Sequence, residues 1–380
     1  MSDNTQQGTG AILVLNSGSS SLKFSIYTYS AGDEQLVLEG RAEGIDRDTG
    51  TLRIKTASGE VLLDKKNIKQ SQPDVLQKIA GLLADRHITP VAVGHRVVHG
   101  GAKVRDHQLA TPAALAALQE AAQFAPLHVP QALVLIQQAQ AIFPCPHCLC
   151  LDNAFHRTMP EVAKHFPLPT ALYEQGVIRY GFHGLSFESL VHKLGLALPR
   201  RAIFAHLGNG SSITAVFDGQ SIDTSMGLTP TGGVPMGSRS GDLDPGIILY
   251  LLREQHLTAQ QLSDLLNNQS GFTAFSNGES DMQALESRAS TGDPTAELAI
   301  HAFATAVRKY IGAYAALMGG VDLLVFSGGI GQNSTEVRTR ICDGLGFLGL
   351  SLSDSSRVLI LETEEERQIA RHSRRLITPA

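Results

Sequence analysis

The sequence predicts an α/β fold built on a duplication, and three observations carry it. Short apolar strands alternate with helical patterns along the whole chain. A strand, Gly/Ser turn and strand occur near the N-terminus and recur in the second half: Ser20-Ser21-Leu22 falls on Ser211-Ser212-Ile213, an offset of 191 residues. That offset is about half of 380 residues, too long for the roughly 20–50-residue period of a solenoid and suited to two domains of roughly 100–200 residues each.

Residues 1–10 are polar and lack a basic stretch followed by an apolar core, so they read as a disordered tail, not a signal peptide. Ala11–Leu15 is an apolar strand, Asn16–Ser21 its turn, and Leu22–Tyr27 an alternating return strand. Strand and turn signals continue to about Leu63, and helical patterns follow at about 74–85, 112–124 and 131–142, the second opened by Thr111-Pro112 as N-cap and first-turn residue. Cys148 and Cys150 alternate with Leu149 and Leu151, as in a buried strand running toward Asp152. The second half repeats the opening with Ala202–Leu207, the tip Gly208–Ser212 and the strand Ile213–Val216. A long helix at about 295–318 leads into a buried strand, Val321–Phe326, then a glycine-rich turn and another helix. Thr363 and Glu366 have the spacing of a capping box.

The hydrophobic fraction of 43% is ample for packed cores. A net charge of −5 gives no basic footprint for nucleic acid or an anionic membrane, and no apolar run approaches the roughly 18 residues of a membrane helix. The expected location is the cytoplasm. Cys145, Cys148 and Cys150 sit near His147 and His156, which invites a zinc reading. The alternation with leucine favours small buried thiols instead.

Three glycine-rich turns follow apolar strands, at 16–21, 208–212 and 328–334. Glycine lets backbone N–H groups approach phosphate closely. None has the spacing of the common nucleotide-binding loops, and each alone is an ordinary turn; three together, two of them repeated, favour a nucleotide. Arg96 and Arg239 lie in glycine-flanked loops, where a guanidinium suits a carboxylate or phosphate. Asp152 ends a buried strand, and His183 stands between Phe182 and Gly184, after Gly181.

Taken together these segments resemble the acetate kinase family. Leu13–Lys23 is similar to its N-terminal signature, and the segments Gly94–Gly101, Asp152–His156, Arg179–Gly184, His206–Ser212, Thr224–Pro245 and Gly329–Ser334 match its other blocks in order. The resemblance implies duplicated ribonuclease-H-like (actin-like ATPase) domains facing a central cleft, with residues 11–153 and about 367–380 in the N-terminal domain and 154–366 in a C-terminal, nucleotide-binding domain, usually as a homodimer. It implies reversible phosphoryl transfer from ATP to acetate, or to another short carboxylate, with Mg2+ or Mn2+.

Carried over by resemblance, Asn16 and Glu365 would bind the metal. Lys23 and the segment His206, Leu207, Gly208, Asn209 and Gly210 would contact nucleotide phosphates. Arg96 and Arg239 would hold the carboxylate and the transferring phosphoryl group, Asp152 is the assigned acid/base residue, and His183 would stabilise the transition state. Asp281, Met282 and Gln283, with Gly329, Ile330, Gly331, Gln332 and Asn333, would border the adenosine. Val98, Leu127, Phe182 and Pro230 match the apolar pocket for the acyl methyl group. The chain departs from the family pattern at Gln332, where a glutamate is usual, at Met282-Gln283, where an aromatic residue and arginine are usual, and at Val129-Pro130-Gln131. These bear on nucleotide selectivity more than on phosphoryl transfer. A propionate or butyrate kinase is the near alternative, and a non-catalytic actin-like nucleotide-binding protein the distant one. The joint presence of Arg96, Arg239, Asp152 and His183 argues against the latter.

Overall fold

The computed structural model describes residues 10–18, 20–30 and 33–378. Of the tail expected over 1–10, residues 1–9 lie outside the described residues, and Gly10 already belongs to the first strand. The chain divides into two compact units, one of residues 1–154 together with 364–380 and one of residues 155–363.

The first unit holds β1 (Gly10–Ser17), β2 (Ser21–Ser30), β3 (Asp33–Glu43), β4 (Gly50–Thr56), β5 (Val61–Ile68), β6 (Pro90–Val97), β7 (Gln108–Leu109) and β8 (His147–Leu151), in the order β5-β4-β3-β2-β1-β6-β8-β7. The second holds β9 (Arg201–Leu207), β10 (Ser211–Phe217), β11 (Gln220–Thr224), β12 (Leu323–Ser327) and β13 (Val358–Ile360), in the order β11-β10-β9-β12-β13. The duplication is visible in the pairing. In the first unit β3, β2 and β1 are antiparallel, and β6 and β8 then add in parallel. The second repeats this order and sense with β11, β10, β9, β12 and β13.

β1 is apolar without alternation because both its faces are covered. Leu13 and Leu15 join one core with Val75, Ile79, Leu83 and Leu135 of the helices Gln72–Asp85 and Val129–Ile142. The helix Glu365–Ile377 packs on β6, β1 and β8. Its close approach requires Gly94, since a Cβ there would lie 2.4 Å from Ser373 Oγ and 2.6 Å from Ile369 Cγ2. Cys148 and Cys150 face the same helix, with Cys150 Sγ 3.8 Å from the Ile369 carbonyl oxygen, while Leu149 and Leu151 join the core on the other side. All four cysteines are free thiols. Glu34 on β3 is buried between two arginines of the helix: Arg374 Nε lies 2.7 Å from Oε1 and Arg371 Nε 3.2 Å from Oε2. A buried carboxylate is tolerable only when paired in this way.

Helix starts follow local chemistry where the cap is exposed. Ser71 and Asp74 form a reciprocal capping box, and Thr111 accepts from the Ala114 N–H ahead of Pro112. The capping box expected at Thr363 and Glu366 does not form. The helix begins at Glu365 with Glu364 at the N-cap and no side-chain cap bond, because Glu366 is engaged by Asn16 instead. The expected turn at 328–334 is also corrected, since Gly328–Asn333 is a short helix. Gly328 makes this possible at φ +76°, where a Cβ would lie 2.5 Å from the Leu207 carbonyl oxygen. In the second unit the helix Pro294–Met318, capped by Asp293 and ended by Gly319, buries Phe303, Val307 and Ile311 in one core, and Phe187 and Leu190 pack with Phe204 and Val216 in another.

The contact at Gly94 sets a test. Gly94→Ala is expected to lower stability by about 1–3 kcal/mol in denaturant unfolding, the usual cost of overpacking. Ser373→Ala in the same chain, which removes the nearest obstructing atom, is expected to return part of it.

Candidate active site

In the first unit the site is built where β1, β6, β8 and the helix Glu365–Ile377 end near one another. Arg96 lies on β6 itself, not in a loop after it as the sequence suggested. Asp152 follows β8 directly, its N–H donating to the Val97 carbonyl at 2.9 Å. Arg96 grips Asp152 in a fork: Nη2 donates to Oδ2 at 2.6 Å and Nε lies 3.0 Å from both oxygens. Asp152 is 2% exposed, so this is a desolvated, charge-assisted pair. Arg96 Nη1 donates to Asn16 Oδ1 at 3.2 Å, and Asn16 Nδ2 donates to Glu366 Oε1 at 3.1 Å. Burial works against the Arg96 charge, but Asp152, Glu365 and Glu366 outweigh it and hold the guanidinium more firmly protonated than usual. Lys23, opposite Asn16 in the β1/β2 register, is exposed. Val98 follows β6 half-buried, and Leu127 is exposed.

In the second unit His183 caps the helix Gly184–Leu194 in the left-handed conformation, φ 60° and ψ 23°. A non-glycine residue held there stores of order 1–3 kcal/mol of strain, a common mark of functional positions. Its Nδ1 lies 2.9 Å from Ser212 Oγ, and its ring is tilted on His206 with centroids 4.5 Å apart. A Cβ on Gly210 would lie 3.4 Å from both His183 Nε2 and Arg239 Nη1, so a cation and an imidazole converge on the β9–β10 tip. Arg239 Nη1 also donates to the Pro230 carbonyl at 3.1 Å. Phe182 is buried.

Two supporting residues escaped the sequence reading as site-builders. His156 is fully buried, with Nε2 2.9 Å from the Phe182 carbonyl oxygen and Nδ1 2.8 Å from Ser221 Oγ. A carbonyl only accepts, so Nε2 carries the proton and Nδ1 accepts from the serine. Arg179 donates to the carbonyls of Thr224, Ser225 and Met226. Both roles are tertiary, and no local pattern announces them.

A cavity of about 630 Å³ opens between the β9–β10 tip and the starts of three helical segments. Gly208 and Asn209 line it, as do Asp281, Met282, Gln283, Gly329, Ile330 and Asn333. Of the other residues expected beside the nucleotide, Gly331 is buried beneath the short helix, and Gln332 offers its carbonyl to Arg338. Neither lines the cavity, nor do His206, Leu207 and Gly210. Met282 is only 4% exposed and packs into the core, so Gln283 is the side chain more openly presented. Glu286 and Ser334, which share a hydrogen bond, complete the lining; Ser334 lies in the glycine-rich segment the sequence singled out, whereas Glu286 was missed. Glu286 stands one turn on from Met282 and Gln283 in the helix Met282–Ser290, and helical spacing was the available signal.

The acetokinase family profile matches residues 11–377. The chain belongs to the acetokinase family. It is 40% identical to an acetate kinase of Coprothermobacter proteolyticus, over 96% of this chain and 98% of that one. It is 39% identical to a propionate kinase of Salmonella typhimurium, over 97% of each. Among solved structures it matches a propionate kinase of Francisella tularensis with a TM-score of 0.90 at 35% identity, over 97% of this chain and all of that one. An acetate kinase of Porphyromonas gingivalis gives 0.86 at 32%, over the same shares. As an acetokinase the protein is an ATP-using phosphotransferase with a carboxyl group as acceptor. Among the described residues no helix is long and apolar enough to cross a membrane.

The buried imidazole of this acetokinase gives a pH dependence with a definite sign. Burial, only partly offset by the Phe182 carbonyl and Glu188, lowers the His156 pKa from 6.5 to about 4. The unfolded chain therefore binds the proton first. Stability is complete above about pH 6.5 and is lost as pH falls toward 4, by at most about 3 kcal/mol from this residue. His95 and His147, also held neutral by burial, act in the same direction. Unfolding free energies across pH 4–7 are expected to fall with acid, and less steeply in His156→Gln.

Proposed function

We propose that the protein is an acetate kinase: it moves the terminal phosphoryl group of ATP reversibly onto acetate by in-line displacement, giving acetyl phosphate and ADP. The observation that carries this reading is the Arg96–Asp152 fork. A carboxylate nucleophile has a pKa of roughly 4–5 and is already ionised at neutral pH, so it needs no strong base. Both oxygens of Asp152 are engaged by Arg96, which suits an organising group better than a base. The difficulty is bringing two anions together, and fixed cations address it by electrostatic stabilisation. Arg96 and Arg239 would hold the carboxylate and the phosphoryl group in flight, and His183, beside Arg239 at the β9–β10 tip, would donate to the transferring oxygens. Lys23 and His206 to Gly210 would contact the nucleotide phosphates, with the nucleoside in the cavity bordered by Gln283 and Asn333. By family resemblance, Val98, Leu127, Phe182 and Pro230 would serve the acyl methyl group.

Asn16, Glu365 and Glu366 offer an amide carbonyl and two carboxylates, the hard oxygen donors that Mg2+ takes alongside water and phosphate oxygens. Asn16 and Glu365 would hold the ion, with Glu366 orienting Asn16 through their hydrogen bond. When bound, Mg2+ supplies neutralisation of phosphate charge. Family resemblance also favours a cytoplasmic homodimer. The helix Pro245–Arg253 exposes Ile247, Leu249 and Tyr250, an apolar surface that a second copy would cover.

Propionate kinase is the second reading, favoured by the near-equal similarity to relatives of both names. One methylene is worth roughly 1–3 kcal/mol in an apolar pocket. Acyl phosphate trapped as hydroxamate from acetate, propionate and butyrate decides between them, and highest kcat/KM with acetate is expected. Arg96→Ala and Arg239→Ala are each expected to lower kcat by roughly 10²–10³ or more, as for loss of a preorganised charge at the reacting centre. Near-normal turnover in either would sink the assignment.

Nucleotide choice gives another test. The Gln283 amide can hydrogen-bond but supplies no cation to stack on a purine, a contact worth roughly 0.5–2 kcal/mol. ATP is expected to exceed GTP in kcat/KM by less than roughly a hundredfold, about 2.7 kcal/mol, and Gln283→Arg is expected to widen that ratio.

A further inference from the structure

The first unit's sheet carries a row of cations that the proposed transfer, apart from Lys23, does not use. Lys23 stands opposite Arg41 in the β2/β3 register, and Arg41 stands opposite Arg53 in the β3/β4 register. The intervening residues Leu22, Phe24, Ala42, Leu52 and Ile54 form the core. Strand alternation therefore puts all three cations on the opposite face, one per strand and roughly 5 Å apart. Lys55, two residues along β4, adds a fourth opposite Glu39.

Like charges directly opposite one another destabilise a sheet. Here they are only partly answered from within the protein. Arg41 pairs with Glu43 at 2.6 Å and Lys55 with Glu39 at 2.8 Å. Among the described residues no carboxylate lies within ion-pair distance of Lys23 or Arg53, Arg53's register neighbour Asp64 included. The four cations line a groove of about 360 Å³. The two carboxylates on its border are engaged, Glu39 by Lys55 and Glu366 by Asn16. Ser25 Oγ, buried in the wall, makes no hydrogen bond of ordinary geometry.

We infer that this groove binds a linear polyanion of three or more phosphates laid across β2, β3 and β4. The row from Lys23 to Arg53 spans two strand spacings, roughly 10 Å, and long cationic side chains converge on an extended chain of phosphates better than on a single one. Guanidinium groups at two of the three row positions suit phosphate oxygens by their planar fork. The shared chemistry is a triphosphate or longer chain, either free inorganic polyphosphate or the tail of a nucleotide.

The test is calorimetric titration of the full chain with tripolyphosphate, without nucleotide or metal. Lys23 is left unchanged because of its proposed catalytic place. Saturable binding is expected, weakened at least tenfold in Arg41→Gln/Arg53→Gln and kept within about threefold in Arg41→Lys/Arg53→Lys. Asn209→Ala, which alters the cavity of the second unit, is expected to keep the binding that the glutamine variant loses. The single change Arg53→Gln disturbs no ion pair and reads the same loss should the double variant fold poorly. A parallel ATP titration separates the sources: a weakened ATP constant in the glutamine variant points to nucleotide tails, and an unchanged one to inorganic chains. Absence of saturable binding overturns the inference, as does equal binding by parent and glutamine variant, or loss in Asn209→Ala instead.

Discussion

The guanidinium of Arg96 is the constraint on which the first unit's site depends. It sits on β6, grips the carboxylate that ends β8, and touches the amide that ends β1; that amide in turn holds the first turn of the C-terminal helix. Four segments remote in sequence are thereby fixed to one another at their tips. Such a pair is a poor source of stability, because removing two charges from water costs several kcal/mol per ion before attraction returns any of it. Its value is geometric. It presents a cation whose position and protonation are both fixed, which is what a reaction between two anions requires.

The duplication supplies two copies of one scaffold and loads them differently. In both, a hairpin leads the sheet and two parallel strands follow it. In the first copy the hairpin ends in the side chains of Asn16 and Lys23, and the neighbouring strand carries a guanidinium. In the second the tip is Gly208-Asn209-Gly210, and the neighbouring strand β12 runs into the helix Gly328–Asn333. Side-chain charge dominates one copy and exposed backbone the other.

Much of the scaffold was legible in the sequence because it is local. The two hairpins announced themselves through alternation and a Gly/Ser tip. The strand ending at Asp152 showed in the cysteine and leucine pattern, and the helix at Thr111-Pro112 in its cap. What failed was decided by tertiary contact. Glu366 has the spacing of a capping residue, but Asn16 offers it a better partner, so the box does not form. Residues 328–333 look like a turn, yet they coil because Gly328 meets the Leu207 backbone closely. Arg96 looks like a loop residue by its glycine neighbours, although Gly94 serves helix packing and not chain reversal. In the cavity, Met282 was expected at the ligand and is mostly spent on the core, while Glu286 was overlooked one helical turn away.

The helix Glu365–Ile377 belongs to the first unit, although the whole second unit intervenes in the chain. Asn16 and Glu366 are 350 residues apart, and Glu34 and Arg374 are 340 apart. During synthesis, the first unit must therefore wait, with Gly94, Cys148 and Cys150 uncovered, until residues 365–377 have left the ribosome. The second unit, residues 155–363, emerges complete before them and meets no such delay. The apolar face of a half-built sheet is the kind of surface that chaperones hold and that aggregates in their absence. The same wiring means that a chain cut short before residue 365 lacks Glu365 and Glu366, so a truncated product keeps the cavity of the second unit but loses the carboxylates beside Asn16 and Arg96 in the first.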